Sequence, residues 1–331
     1  MNATPSASGP SPDAETHLTV GDVRIVARSA DPRLSAHVTP ELTPFLHVDG
    51  ARTHAPLHQL DLTVTSANLR DSMTNAASSD AASSDAASSD AASRAGFDSG
   101  GLWRVRHQPD FIEFAFTSPA IGEVPYRIAR IAHDWQSGEV ILHRPYVEAG
   151  LFAHALEYPL DELLLVHLLA RHQAGIELHG CGLVTTDGKS LLFLGQSGAG
   201  KTTTANLWTQ AKPGTRVLSD DRIIVRSDGR VMRMYGTPWH GEGAYALPEQ
   251  TPLSAIFFLT QSEHNAARRM SESEAVARLF ACSFAPVYVH EDVHHCLAFL
   301  GALAAQVPCY ALSFVKDASA VDFVDQHTPL R

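Results

Sequence analysis

Cysteine is scarce: Cys181, Cys282, Cys296 and Cys309 are widely scattered in 331 residues and form no CxxC pair. A disulfide framework is therefore not expected, and the thiols read as reduced and buried. Lysine is equally scarce, with only Lys189, Lys201, Lys212 and Lys316. No run of eighteen apolar residues occurs, which excludes a conventional membrane-spanning helix. The opening stretch MNATPSASGPSPDAETH is polar and proline-rich, unlike a secretory leader. Lys and Arg total 25 against 36 Asp and Glu, a net charge of −11, which argues against a nucleic-acid backbone as the main partner. The expectation is a cytoplasmic protein with no nucleic-acid or membrane partner, and self-association stays open.

What is present is a 44% hydrophobic chain, enough for a sizeable core in one large or two modest domains. Residues 1–16 read as a disordered tail. Short alternating runs such as HLTVGDVRIVA and HQLDLTVTS, then GLWRVRHQPDFIEFAF, YRIARIAHDW and GEVILHRP, read as strands of a β-rich module over 17–155. That module carries an insertion at 71–100 built on AASSDAASSDAASSD, whose small polar residues cannot bury enough surface to offset chain entropy. A helix over YPLDELLLVHLLARHQAG, Tyr158 to Gly175, opens a second domain over 156–331. There the order is strand, DGK turn, strand, glycine loop, helix, strand, hairpin, and later strands and helices. The fold class expected is α/β with a mixed sheet, preceded by the β-rich module.

The glycine loop GQSGAGKT, Gly195 to Thr202, fits G-x-x-x-x-G-K-[ST] at every fixed position. Glycines let successive N–H groups turn toward phosphate oxygens, and the following helix adds partial positive charge. Gly195, Ser197, Gly198, Ala199, Gly200, Lys201, Thr202 and Thr203 are thus the candidate nucleotide cradle. Lys201 would neutralise phosphates, and the Thr202 hydroxyl would take a position on magnesium. About twenty residues on, VLSDD ends a strand in Asp220 and Asp221. One carboxylate can hold a metal and the other can accept a proton from an attacking hydroxyl. His179, in ELHGCG on the preceding strand, can stabilise charge beside the phosphates. In GTPWHGEG, Trp239 and His240 are candidate contacts for an acceptor or a base.

Together LHGCGLV, LLFLGQSGAGKTTTA and VLSDD resemble the C-terminal kinase domain of the HPr kinase/phosphorylase family. They resemble still more the related kinases found beside peptide-modifying gene clusters, over about residues 160–315. ATP-dependent phosphoenolpyruvate carboxykinase is similar in the same core. The resemblance implies a P-loop kinase that uses ATP and Mg2+ to phosphorylate a serine of a protein or peptide. It implies Asp220 as base, Thr202 and Asp221 as metal ligands, and His179 near the transferred phosphate. The family's Glu-x-Arg-Gly segment is replaced by RMYGTPWHGEG, which argues against phosphorylase activity and against HPr as acceptor.

Two other readings stand beside this one. A nucleotide-binding regulatory or recognition module would use the same loop with little transfer. HEDVH, His290 to His294, fits H-E-x-x-H, so a zinc-dependent hydrolase would use His290, Glu291 and His294; no third ligand stands at the usual spacing. Arg222, Arg226, Arg268 and Arg269 each could steady transition-state charge, and the sequence leaves them equivalent.

Overall fold

Period-two burial runs through the first half of the molecule: β4 (His58–Ala67) and β7 (Phe111–Ser118) alternate buried and more exposed residues, so one face of a sheet is core. The computed structural model describes residues 14–31, 34, 39–47, 56–70, 96–151 and 154–327. The chain divides into two compact units. One holds residues up to Leu18, Arg24–Thr39 and Leu46–Leu160, and the other holds Thr19–Val23, Pro40–Phe45 and Asp161–Arg331.

In the first unit the remaining strands are β1 (Ala14–Val20), β2 (Val23–Ser29), β3 (Leu46–His47), β5 (Phe97–Asp98), β6 (Trp103–His107), β8 (Gly122–Ala132) and β9 (Ser137–His143). They form one nine-stranded sheet in the order β3-β1-β2-β4-β9-β8-β7-β6-β5. Strands β5 to β9 are an antiparallel meander, and β4 lies parallel to β9. A short helix α1 (Arg144–Glu148) follows, with proline in its first turn, where a missing N–H is harmless.

The expected tail over 1–16 ends earlier than its composition implies, because Ala14 to Thr16 already belong to β1. Glu15 there takes a 2.8 Å bond from Arg28, which ties the strand to its neighbour. Residues 1–13 lie outside the described residues, as does most of the Ala/Ser/Asp insertion, 71–95. The end of that expected insertion is structured: Phe97 and Asp98 pair with β6, and the Phe97 ring meets Trp103 at 5.2 Å.

The second unit begins with α2 (Leu160–Arg171), then β10 (Gly175–Val184), β11 (Ser190–Leu194) and α3 (Lys201–Ala211). Next come β12 (Arg216–Ser219), β13 (Arg222–Ser227), β14 (Met232–Gly236), β15 (Gln250–Pro252), β16 (Ala255–Gln261) and β17 (Ala266–Arg269). Helices α4 (Glu272–Ala281) and α5 (His290–Gln306), strand β18 (Cys309–Phe314) and helix α6 (Ser319–His327) complete it. Its sheet runs β15-β14-β13-β10-β11-β16-β18-β17, with β12 paired to β10. Strands β11, β16 and β18 are parallel to one another, and the pairs made by β10 and by β14 are antiparallel.

Alternate residues of the central strands point to opposite faces. Leu192, Leu194, Ile256 and Phe258 pack with Leu279 of α4 and Leu300 of α5. Leu191, Phe193 and Phe257 pack instead with Trp208 of α3 and Val321 of α6. Helices therefore cover both faces, and the fold is mixed α/β with a strand-rich N-terminal region, as composition and periodicity imply. No described helix is long and apolar enough to cross a membrane.

Strand β10 decides where the site falls. Its first half, Gly175 to His179, pairs with β13, and its second half, Gly180 to Val184, pairs with β11. The strand changes partners at Gly180, where a Cβ would stand 2.6 Å from Leu194 Cδ2. His179 is the last residue before that change.

Candidate functional site

Strand β11 is buried at all five positions, and its end delivers the chain into a loop that only glycine can follow. Gly198 has φ 80° and Gly200 φ 109°, both in the left-handed region. A Cβ on Gly200 would sit 2.7 Å from Phe314 Cζ, and one on Gly195 would sit 2.5 Å from Ala199 Cβ. Helix α3 starts at once with Lys201, and Thr204 Oγ1 donates to the Gly200 carbonyl at 2.9 Å. Lys201 is buried and folds back over the loop, donating to the carbonyls of Gly195 (3.0 Å) and Gln196 (3.3 Å). Burial pushes its ammonium below the usual lysine range, against an upward pull from Asp221.

The two adjacent aspartates face different ways. Asp220 is fully buried and accepts three hydrogen bonds, each of 2.9 Å: Thr202 Oγ1 and Gly243 N to Oδ2, Gly241 N to Oδ1. A Cβ on Gly241 or Gly243 would come within 2.9 or 2.8 Å of Asp220 Oδ2, so glycine is what lets these amides approach. Asp221 opens on a cavity of about 400 Å³. Its Oδ1 takes His179 Nε2 at 2.9 Å, and its Oδ2 takes Arg222 Nη1 at 3.0 Å. Burial raises its pKa, but the His179 bond and the charges of Arg222 and Lys201 outweigh that and hold the carboxyl below the ordinary range. An ionised Asp221 makes His179 Nε2 the donor.

The cavity is lined by Ser197, Gly198, Gly200, Lys201, Thr202 and Thr203 of the loop and helix start, and by His179, Asp221, Gly241 and Glu242. Gln261, the last residue of β16, and Lys316, just beyond β18, complete the lining. Gln261 also steadies the loop through a 2.6 Å bond to the Gly198 carbonyl.

The sequence thus brings His179, Lys201, Thr202, Thr203 and Asp221 to one cavity, with Ser197, Gly198 and Gly200 of the loop. Gly195 and Ala199 shape the loop without lining the cavity, and Asp220 stands behind Thr202. Trp239 and His240, the candidate contacts for an acceptor or base, are not among the residues that line this cavity. The Trp239 indole N–H is turned to Asp161 at 2.9 Å, and His240 Nδ1 lies 2.9 Å from the Gly241 carbonyl. Their neighbours Gly241 and Glu242 line the cavity and are not among the candidates read from the sequence. Gln261 and Lys316 carry no sequence signal of their own.

Of the four arginines, Arg222 is the one that reaches Asp221. Arg226 donates to the Ala174 carbonyl, Arg268 pairs with Glu274, and Arg269 lies over Tyr310. At the H-E-x-x-H segment the His290 and His294 rings meet at 4.7 Å at the start of α5. Among the described residues, no group of three or more His, Cys, Asp or Glu is arranged to hold a metal ion.

The donor set fits two kinds of ligand. Left-handed glycines and a lysine satisfied only by carbonyl oxygens suit a phosphate chain. A hydroxyl hydrogen-bonded to a buried carboxylate supplies hard oxygen donors, which suit Mg2+ rather than a thiophilic metal. No protein-family model matches the chain, and no curated protein matches it.

Proposed function

We propose that this protein is an ATP-dependent kinase with an HPr kinase-like P-loop core, transferring the γ-phosphate to a serine hydroxyl of a protein or peptide. The observation that carries the reading is the division of labour in the Asp220–Asp221 pair: one carboxylate hydrogen-bonds Thr202 at 2.9 Å, the other faces the cavity beside His179. When bound, ATP would supply the phosphoryl group and Mg2+ would screen its charge.

Lys201 exchanges two carbonyl oxygens for anionic phosphate oxygens, a stronger charge-assisted contact. Thr202 is the residue that would hold the metal, and Asp220, behind it, accepts the Thr202 hydroxyl hydrogen and would fix that hydroxyl's direction. Asp221 takes the proton from the serine hydroxyl as its oxygen bonds to phosphorus and the bond to the ADP oxygen breaks. His179 orients that carboxylate through its ring N–H. This moves the base role implied by the family resemblance from Asp220 to Asp221, and burial is the reason: Asp220 is fully enclosed and already accepts three hydrogen bonds, so a substrate proton has no path to it.

Asp221→Asn is expected to keep MgATP affinity within about threefold and to lower phosphate transfer by about 1000-fold, the scale of a lost general base. Calorimetry reads the first, and labelled ATP with a serine-containing peptide library reads the second. Transfer at the wild-type rate would remove Asp221 from the chemistry. Tight ATP binding with no hydroxyl modified by the wild type would assign the cavity to a regulatory module instead.

A further inference from the structure

Arg222 stands opposite His179 in the β10–β13 pairing, and its guanidinium is gripped on three sides. Nε meets Glu162 Oε1 of α2 at 2.6 Å, and Nη1 meets Asp221 Oδ2 at 3.0 Å. Its centre lies 3.9 Å from the centroid of the Phe284 ring, and the same ring packs edge-on against His179 at 5.9 Å. Phe284 therefore touches both groups that hold Asp221. A third carboxyl, Glu177, approaches Nε at 3.5 Å from a fully buried position. Burial, then the neighbouring Glu162, hold its pKa well above the usual range. The hydrogen bonds of Arg222 are thus divided between Glu162 and Asp221.

A guanidinium can serve two carboxylates at once because its N–H groups lie in a fixed plane. One edge is spent on Glu162 and another on Asp221, so the orientation of α2 is passed to the carboxylate that faces the cavity. An ammonium at the same place would keep the charge and lose the second fixed direction.

We propose that Arg222 is a positioning residue for Asp221, anchored by Glu162 and pressed flat by Phe284. The role rests on the reading of Asp221 as proton acceptor; the geometry it predicts does not.

The test uses full-length protein labelled with 15N-histidine, the His179 ring proton being assigned by its absence in His179→Gln. In Arg222→Lys the His179 Nε2 proton is expected to exchange with water at least about tenfold faster than in wild type. Phosphate transfer should fall about 30-fold while affinity for a non-hydrolysable MgATP analogue stays within about threefold, the split expected when an oriented base is lost. Glu162→Gln should move both readouts in the same direction by a smaller factor, and it decides the matter if Arg222→Lys does not fold. A ring proton as protected in the variants as in wild type would overturn the proposal, and so would equal losses of turnover and affinity. A wild type that transfers no phosphate would end the kinase reading, while the ring-proton comparison would still decide the positioning role.

Discussion

The two nine-stranded sheets both carry matched ion pairs, and the second adds charges at its cavity that are not closed off in this way. In the first, Arg28 meets Glu15 and Asp61 at 2.8 and 2.5 Å, and Arg130 meets Glu113 and Glu139 at 3.0 and 3.2 Å. Arg127, fully buried, meets Glu157 at 2.7 Å. These cations are matched by carboxylates, mostly across neighbouring strands, and they close on themselves. In the second sheet Lys201 is buried with carbonyl oxygens as its hydrogen-bond partners, and Asp221 keeps an open side toward the cavity. A matched pair has little left to offer a ligand. An ammonium held only by neutral acceptors gains when an anion arrives. The molecule's chemistry is located by that asymmetry rather than by the number of charges.

The comparison breaks first at Lys201. Lys201→Ala removes the one cation inside the glycine loop and is expected to weaken MgATP binding at least about 100-fold, since it deletes charge-assisted contacts in a buried place. Calorimetric titration checks this, and binding of wild-type strength would mean that the unmatched ammonium is not there for an anion. A smaller effect sharpens the picture at Gly243. Its added Cβ would stand 2.8 Å from Asp220 Oδ2, which must move and release Thr202 or an amide. Gly243→Ala is expected to raise the magnesium concentration needed for half-maximal transfer about tenfold, with stability lowered by about 1–3 kcal/mol as a buried hydrogen-bond set is disturbed. An unchanged magnesium requirement would separate the Gly241–Gly243 loop from the metal site.

Local chemistry made much of this legible in advance. The glycine loop announces itself because left-handed backbone and a helix start leave few residue choices, and the run from Ser190 to Leu194 reads as a buried strand because every position is apolar or shielded. His179 and Asp221 are a different case. Their meeting at 2.9 Å depends on β10 pairing with β13, which sets His179 opposite Arg222, a tertiary event without a periodic signature. The direction of each aspartate was equally hidden, since adjacent strand-end residues point apart and only packing says which is buried. Strand β17, with three of its four residues exposed, lacks the apolar alternation that betrays a strand and owes its form to pairing with β18. Glu177 illustrates the same limit: two residues before His179 it shares that face of the strand, yet it is buried, which the alternation alone does not say.

At the other end of the comparison lies Arg130. Its side chain is 30% exposed, its partners Glu113 and Glu139 are 14% and 42% exposed, and its guanidinium sits 5.2 Å from the centroid of the Phe111 ring. The two carboxylates hold its pKa above the usual value despite burial, which acts first and downward. Water still reaches this group, so the Coulomb gain is screened and part of it is offset by side-chain ordering. Arg130→Ala is therefore expected to cost about 1 kcal/mol or less in denaturant unfolding and to leave MgATP affinity and transfer unchanged. A closed pair of this kind should be worth only its own local stability. If removing Arg130 altered transfer, the first sheet would be taking part in the chemistry after all, and the division between matched and unmatched charge would no longer mark the site.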